Sequence, residues 1–211
     1  MKKVPEGVIE RLPAYLSCLL QLEAEGFMTA SSKRIGQMTG INPAEIRRDL
    51  VHFGTFGIKG VGYEVGYLIK TIKKILGSDH PHQIAIVGAG NLGSAIANHR
   101  GLRRHGFHVA AIFDQDPSKI GRELGGVKVT SVTKLSETLA LNRISIAILA
   151  VPPEAAQPVA GALIAAGISV ILNYTTVMIR APKHVQIHNS DPVTELLHTV
   201  HYLSERKPVS S

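Results

Sequence analysis

The sequence is poor in features that restrict function at sight. It has one cysteine in 211 residues, Cys18. One cysteine cannot staple the fold and cannot build a metal site alone. Cys18 lies in Leu16-Ser17-Cys18-Leu19-Leu20, the apolar part of a predicted helix, where it reads as a small buried hydrophobe. Ten histidines are present, but the close pairs, His80 with His82 and His198 with His201, have no carboxylate at ligand spacing beside them. No metal is expected. No apolar run reaches the ~18 residues that a membrane span needs, so no membrane partner is expected. Lys2 and Lys3 are followed by Pro5, Glu6 and Gly7 instead of an apolar stretch, which is not a secretory signal. The cytoplasm is the expected location. Internal repeats and low-complexity tracts are also lacking.

What is present suits a packed protein. Apolar residues make up 45% of the chain and the formal net charge is +7. A basic excess suits a polyanionic partner. Residues 1–79 hold eleven Lys/Arg against eight Asp/Glu, and residues 80–211 hold twelve against eight. The excess is shared, so only position can locate a nucleic-acid site. Residues 4–77 read as helices with short breaks, and residues 83–188 alternate β-rich with helical runs. The polar segment Gly77-Ser78-Asp79-His80-Pro81-His82 reads as a linker.

In the first half, Val8, Ile9, Leu12, Leu16, Leu19, Leu20 and Leu22 predict a helix over Glu6–Glu25 with one buried face, Pro13 bending it or marking its start. Ser31 or Ser32 can cap a short helix that Gly40 stops; Asn42 caps the next, with Pro43 at its first position. That helix, about Ala44–Phe53, turns Ile46 and Leu50 inward and Arg47, Arg48 and His52 outward. Two short helices around a glycine turn, the second basic, match a helix-turn-helix, because a helix fits the major groove and guanidinium forks match guanine edges and phosphates. A small helical bundle with a solvated basic face matches equally. Gly54–Tyr63 then packs four glycines among aromatic and β-branched residues, which predicts the hairpin wing of a winged helix with Lys59 at its tip. Candidate DNA contacts are Ser31, Ser32, Lys33, Arg47, Arg48, His52, Lys59, Gly60 and Tyr63. Tyr63–Leu76 returns to helical spacing.

The second half opens with a buried strand, Gln83–Val87, leading into Gly88-Ala89-Gly90-Asn91-Leu92-Gly93 and a helix over Ser94–Arg104. This is the G-x-G-x-x-G spacing between strand and helix that cradles a pyrophosphate on backbone amides. The next strand, His108–Phe113, ends at Asp114, 21 residues after Gly93. A carboxylate there can accept bonds from adenosine ribose hydroxyls and repels the 2′-phosphate of NADP. Further βα units, with strands at Val127–Thr130, Ser145–Val151, Ser169–Leu172 and Val185–Ile187, predict a doubly wound parallel α/β sheet of the Rossmann kind. Val151, Pro152, Asn173, Tyr174 and Thr175 fall at strand ends and are candidates for the nicotinamide side. Asp191 can cap a last helix, Pro192–Glu205, whose stripe of Val193, Leu196, Leu197, Val200 and Leu203 suits a dimer contact.

Two functions compete. A dehydrogenase needs a proton donor near the nicotinamide and a substrate domain. Tyr174 is the one plausible acid at a strand end, and the βα units leave no room for that domain. The other reading is a DNA-binding regulator that senses NADH and NAD+.

The whole chain resembles the Rex family of redox-sensing repressors. The resemblance rests on Lys3-Val4-Pro5, Arg11-Leu12-Pro13, Ile46-Arg47-Arg48-Asp49-Leu50, Phe53-Gly54-Thr55-Phe56-Gly57, Gly60-Val61-Gly62-Tyr63, Gly88–Gly93, Ile171-Leu172-Asn173-Tyr174 and the Asp191 helix. The chain departs from the family pattern at Ile58-Lys59, Val51-His52 and His99. The resemblance implies a homodimer with an N-terminal winged helix (residues 1–79), a C-terminal Rossmann domain (80–190) and a last helix (191–206) exchanged between subunits. It implies a non-enzymatic repressor that binds double-stranded operator DNA when NADH is scarce. Arg11 becomes a candidate switch partner for Asp191 of the partner subunit.

Overall fold

The computed structural model describes residues 4–54, 57–58 and 62–205. Lys59 and Gly60, named above as DNA contacts, lie outside the described residues. The chain divides into two compact units, Met1–His80 and Pro81–Ser211.

The first unit begins with α1 (Glu6–Ala24), capped by Pro5 in an extended conformation. Pro13 is exposed inside the helix and neither starts nor ends it. Val8, Leu12, Tyr15, Leu16, Leu19 and Leu22 make the buried face, each large apolar side chain contributing about 1.5–3 kcal/mol on burial. A two-residue strand, β1 (Thr29–Ala30), precedes α2 (Ser32–Thr39) and α3 (Pro43–Val51). Ser31 Oγ accepts from the Arg34 amide at 3.1 Å, and Asn42 Oδ1 accepts from the Ala44 amide at 2.8 Å. Both caps are the expected ones. α2 and α3 meet closely because Gly36 has no side chain: a Cβ there would lie 2.7 Å from the Ile41 carbonyl oxygen.

The hairpin follows as β2 (Gly57–Ile58) and β3 (Gly62–Glu64), and β1 pairs with β3 on its other edge, giving the antiparallel order β1-β3-β2. Gly62 has φ +102°, and a Cβ on it would lie 2.6 Å from the Ala30 carbonyl oxygen, so this strand crossing requires glycine. Tyr63 and Glu64 therefore belong to a strand, and α4 runs Val65–Ile75, two residues later than periodicity suggested. The Val65 amide donates to Met28 O, tying the strand end in place. Leu12, Leu19, Ile35, Ile46, Leu68 and Ile72 form the centre of this unit's core.

The second unit is a seven-stranded sheet. Its elements are β4 (His82–Val87), α5 (Asn91–Ala97), α6 (Arg100–Arg104), β5 (Phe107–Asp114), β6 (Glu123–Leu124), β7 (Val127–Ser131), α7 (Leu135–Leu141), β8 (Ile146–Leu149), α8 (Pro153–Ala165), β9 (Val170–Asn173) and β10 (Gln186–Asn189), followed by α9 (Pro192–Glu205). The strand order is β10-β9-β8-β4-β5-β7-β6. All pairs are parallel except β6 with β7, a small hairpin that periodicity missed. The helix expected over Ser94–Arg104 is broken at Asn98–His99. Asn98 turns its amide to the Ser94 carbonyl and its oxygen to the Gly125 amide, holding the break. β4 pairs with β5 on one side and β8 on the other. Chain order reverses there, and a crevice opens beyond the carboxyl ends of such strands.

Candidate functional site

That crevice is a cleft of about 530 Å³ lined by Gly88, Gly90, Asn91, Leu92, Asp114, Lys119, Val151 and Pro152 among others. The three glycines have different physical reasons. Gly88 has φ +104°, and a Cβ on it would overlap the Ala150 carbonyl. A Cβ on Gly93 would overlap the Gly88 carbonyl, so α5 packs against the turn only through glycine. A Cβ on Gly90 would meet nothing within 4 Å. Among the described residues nothing fills the space beside Gly90, which lines the cleft, so a group in the cleft can approach its backbone. Gly90 is the N-cap of α5 and provides no side-chain acceptor. A pyrophosphate suits amides left in that condition.

Asp114 closes one end of the cleft and is 7% exposed. Its Oδ2 accepts from the Ala89 amide at 2.7 Å and from Lys119 Nζ at 3.1 Å; its Oδ1 accepts from the Asp116 amide at 2.9 Å. Burial pushes this carboxyl up, but the Asp116 and Ala89 amides and the Lys119 ammonium outweigh it and hold it below the ordinary carboxylate range. The acid expected to read ribose thus also ties down the glycine loop. Asp116, held low by its hydrogen bonds from Ser118, and Lys119 were missed in the sequence. Asp114-Gln115-Asp116-Pro117-Ser118-Lys119 carried the signal: two aspartates that bond the amides two residues on fold the segment back.

On the opposite wall, Val151 and Pro152 line the cleft with Ala150, Ala155 and Val159. Asn173, Tyr174 and Thr175 are not among the lining residues. Asn173 is fully buried, donating to Val177 O and Asn189 Oδ1 and accepting from the Thr175 amide and hydroxyl. Its bonding capacity is filled, and it shapes the end of β9 instead of facing the cleft. Among the described residues, no group of three or more His, Cys, Asp or Glu could hold a metal, and no helix is long and apolar enough to cross a membrane.

The first unit presents a second candidate surface. Arg47 and Arg48 are both exposed on α3. Arg47 Nη1 donates to Ser32 Oγ at 3.0 Å, which links α3 to the start of α2. Arg48 makes no ion pair or hydrogen bond among the described residues. Ser31, Lys33 and His52 are exposed, and Tyr63 is half-buried against the core. Behind α3 lies a brace that the sequence reading overlooked. Asp49, 3% exposed, accepts from Arg11 Nε at 2.7 Å, Arg11 Nη2 at 2.9 Å and Tyr15 Oη at 2.6 Å. Arg11 also meets Glu45 at 3.2 Å. Burial pushes the Asp49 carboxyl up, but the bonds from Arg11 and Tyr15 and the charges of Arg11 and His52 bring it below its ordinary value. Arg11, a candidate partner for Asp191 of the partner subunit, is thus engaged within its own unit. Asp191 caps α9, accepting from the Val193 and Thr194 amides. On α9, Val193, Leu196, Leu197 and Val200 are each more than half exposed.

Comparison with known proteins bears on both surfaces. Residues 3–50 match a family model described as "Putative DNA-binding protein N-terminus", and residues 79–177 match one described as "CoA binding domain". The chain is 45% identical over 94% of its length to the redox-sensing transcriptional repressor Rex of Rubrobacter xylanophilus, covering 92% of that relative. It is 41% identical over 96% of its length to the Rex repressor of Brevibacillus brevis, covering 98% of it. Among solved structures, it is similar to RSP in complex with β-NAD+ and operator DNA, with TM-score 0.84, 36% identity and coverage of 97% of this chain and 94% of that one. It is similarly close to RSP in complex with β-NADH, with TM-score 0.83, 34% identity and coverage of 97% and 96%.

Proposed function

We propose that this chain, which belongs to the Rex family of redox-sensing transcriptional repressors, binds operator DNA when NADH is low and releases it when NADH enters the cleft. The observation that carries this reading is the pairing, in one chain, of a glycine-built nucleotide cleft with a braced basic helix. Its end-to-end similarity to a protein solved with NAD+ and operator DNA, and with NADH, supports both halves. NADH is a signal here and not a substrate. The one acid considered for hydride chemistry, Tyr174, is not among the residues lining the cleft.

NADH and NAD+ differ by a hydride and a positive charge on the nicotinamide ring. Discrimination must therefore act at the Val151–Pro152 end of the cleft. A ligand moves an equilibrium only by its differential affinity for two states. In this reading the states are two arrangements of a homodimer, one of which sets the two α3 helices at half-site spacing. The exposed stripe of α9 supplies the dimer contact, with the helix exchanged between protomers. Arg11 is the switch residue. Any approach of the partner subunit's Asp191 to Arg11 competes with Asp49 on the recognition helix, which joins the dimer arrangement to the DNA-reading surface. The repressor works in the cytoplasm, where its operators and NADH are both present.

The test is fluorescence anisotropy of labelled operator DNA titrated with the full-length protein, at fixed salt, with and without NADH. NADH should weaken binding at least tenfold, and NAD+ should compete that effect away. Operator affinity indifferent to NADH, or steady hydride transfer to a common substrate, would overturn the proposal.

A further inference from the structure

The ribose end of the cleft contains a donor that recognition by Asp114 alone does not require. A carboxylate offers about four acceptor sites. Three at Asp114 are taken: Oδ1 by the Asp116 amide, and Oδ2 by the Ala89 amide and Lys119 Nζ. One site on Oδ1 is left. A ribose presents two neighbouring hydroxyls, each a donor and an acceptor. Asp114 cannot accept from both while it holds the glycine loop through Ala89.

Lys119 can meet the second. Its ammonium has three protons. One goes to Asp114 at 3.1 Å, and Asp116 Oδ2, at 3.9 Å, is beyond hydrogen-bond distance. The side chain is 32% exposed and lines the cleft beside Asp114. An ammonium gives what a carboxylate cannot, a proton to a hydroxyl oxygen.

We infer that Lys119 is a ligand-contacting residue whose ammonium donates to one adenosine-ribose hydroxyl while Asp114 accepts from the other. The inference rests on the NAD(H) reading of the cleft and deepens it. Asp114 and Asp116 against Lys119 leave this end with one net negative charge, which still disfavours a 2′-phosphate. The pair therefore reads the unmodified ribose by a donor and an acceptor in place of one acid.

A lysine that merely steadied Asp114 would act only through the hydroxyl that Asp114 reads, whereas a donor of its own reads the other one. Two NADH analogues, lacking the adenosine 2′-hydroxyl or the 3′-hydroxyl, separate the cases by titration calorimetry on the full-length protein. The unmodified protein should bind at least one analogue about tenfold more weakly than NADH, the effect of a lost charge-assisted bond. Lys119→Met should bind NADH about tenfold more weakly and no longer distinguish it from that analogue, while still discriminating against the analogue that lacks the hydroxyl read by Asp114; loss of both discriminations would mean that Lys119 acts only through Asp114 and would overturn the inference. Lys119→Arg, which keeps a donor, should restore part of the distinction. Ligand-free melting checks that the variants fold, with Lys119→Gln in reserve. Unchanged discrimination in Lys119→Met, or analogues that bind the unmodified protein as well as NADH, would overturn the inference. An unmodified protein that binds no NADH would instead overturn the functional reading, and this inference with it.

Discussion

The cleft and the recognition helix are built on opposite plans. The glycine turn of the cleft is made of backbone: Gly88, Gly90 and Gly93 act by what they lack, and a single Cβ at Gly88 or Gly93 would overlap a carbonyl. The proposed recognition surface is made of side chains, with Arg47 tied to Ser32, Arg48 unpaired among the described residues, and Asp49 fixing the helix from behind. The first plan fails when one atom is added at Gly88 or Gly93. The second should weaken in steps. A sensor needs both kinds, because the ligand site must be rigid to tell two similar rings apart, while the DNA surface must be released.

The largest expected effect tests the first plan. Gly88→Val should abolish NADH binding measured by calorimetry, since its φ of +104° and the Ala150 carbonyl both exclude a side chain; strain of about 1–3 kcal/mol accompanies such a backbone. Operator binding should remain and should no longer respond to NADH. Loss of operator binding as well would mean that the two plans are not separable.

Next comes Arg48→Ala, which should lower operator affinity by about 1–3 kcal/mol and relax sequence preference, with NADH affinity unchanged. Asp49→Asn comes third. Loss of the bidentate pair and the Tyr15 bond should destabilise the first unit by about 1–3 kcal/mol, seen as an earlier melting transition. The sign with pH follows from the lowered Asp49 value. Its contribution is complete above the ordinary carboxylate pKa and disappears as pH falls through the lower folded value. Acid should therefore narrow the gap between the variant and the parent, and a gap that widened in acid would contradict the brace. The smallest effect belongs to Arg47→Ala. It should weaken operator binding uniformly across sequences and reduce the salt slope by about one, the mark of a phosphate contact.

These two regions also differed in how far the sequence disclosed them. The G-x-G-x-x-G spacing, the strand before it and Asp114 were legible because each residue is required by local geometry. The caps Ser31 and Asn42 and the Gly40 stop were legible for the same reason. Long-range pairing was not. Nothing local announces that Arg11 and Tyr15 reach Asp49 across more than thirty residues, or that β1 pairs with β3. Asn173 and Thr175 sit at a strand end, where ligand contacts collect, yet their hydrogen bonds are satisfied inside the protein. Position along the chain located the strand end and could not tell a wall from its support. Lys119 was hidden for a simpler reason: its approach to Asp114, five positions back in the chain, depends on the turn between them.

In the proposed function, cleft and recognition helix share one equilibrium. Linkage requires reciprocity: if NADH weakens operator binding by some factor, saturating operator must weaken NADH binding by the same factor. The most direct measurement is the dissociation constant for NADH with and without saturating operator DNA, on the same preparation at the same salt. NADH should bind more weakly in the complex, by the factor found in the operator titration. Equal NADH affinity in both conditions would contradict it.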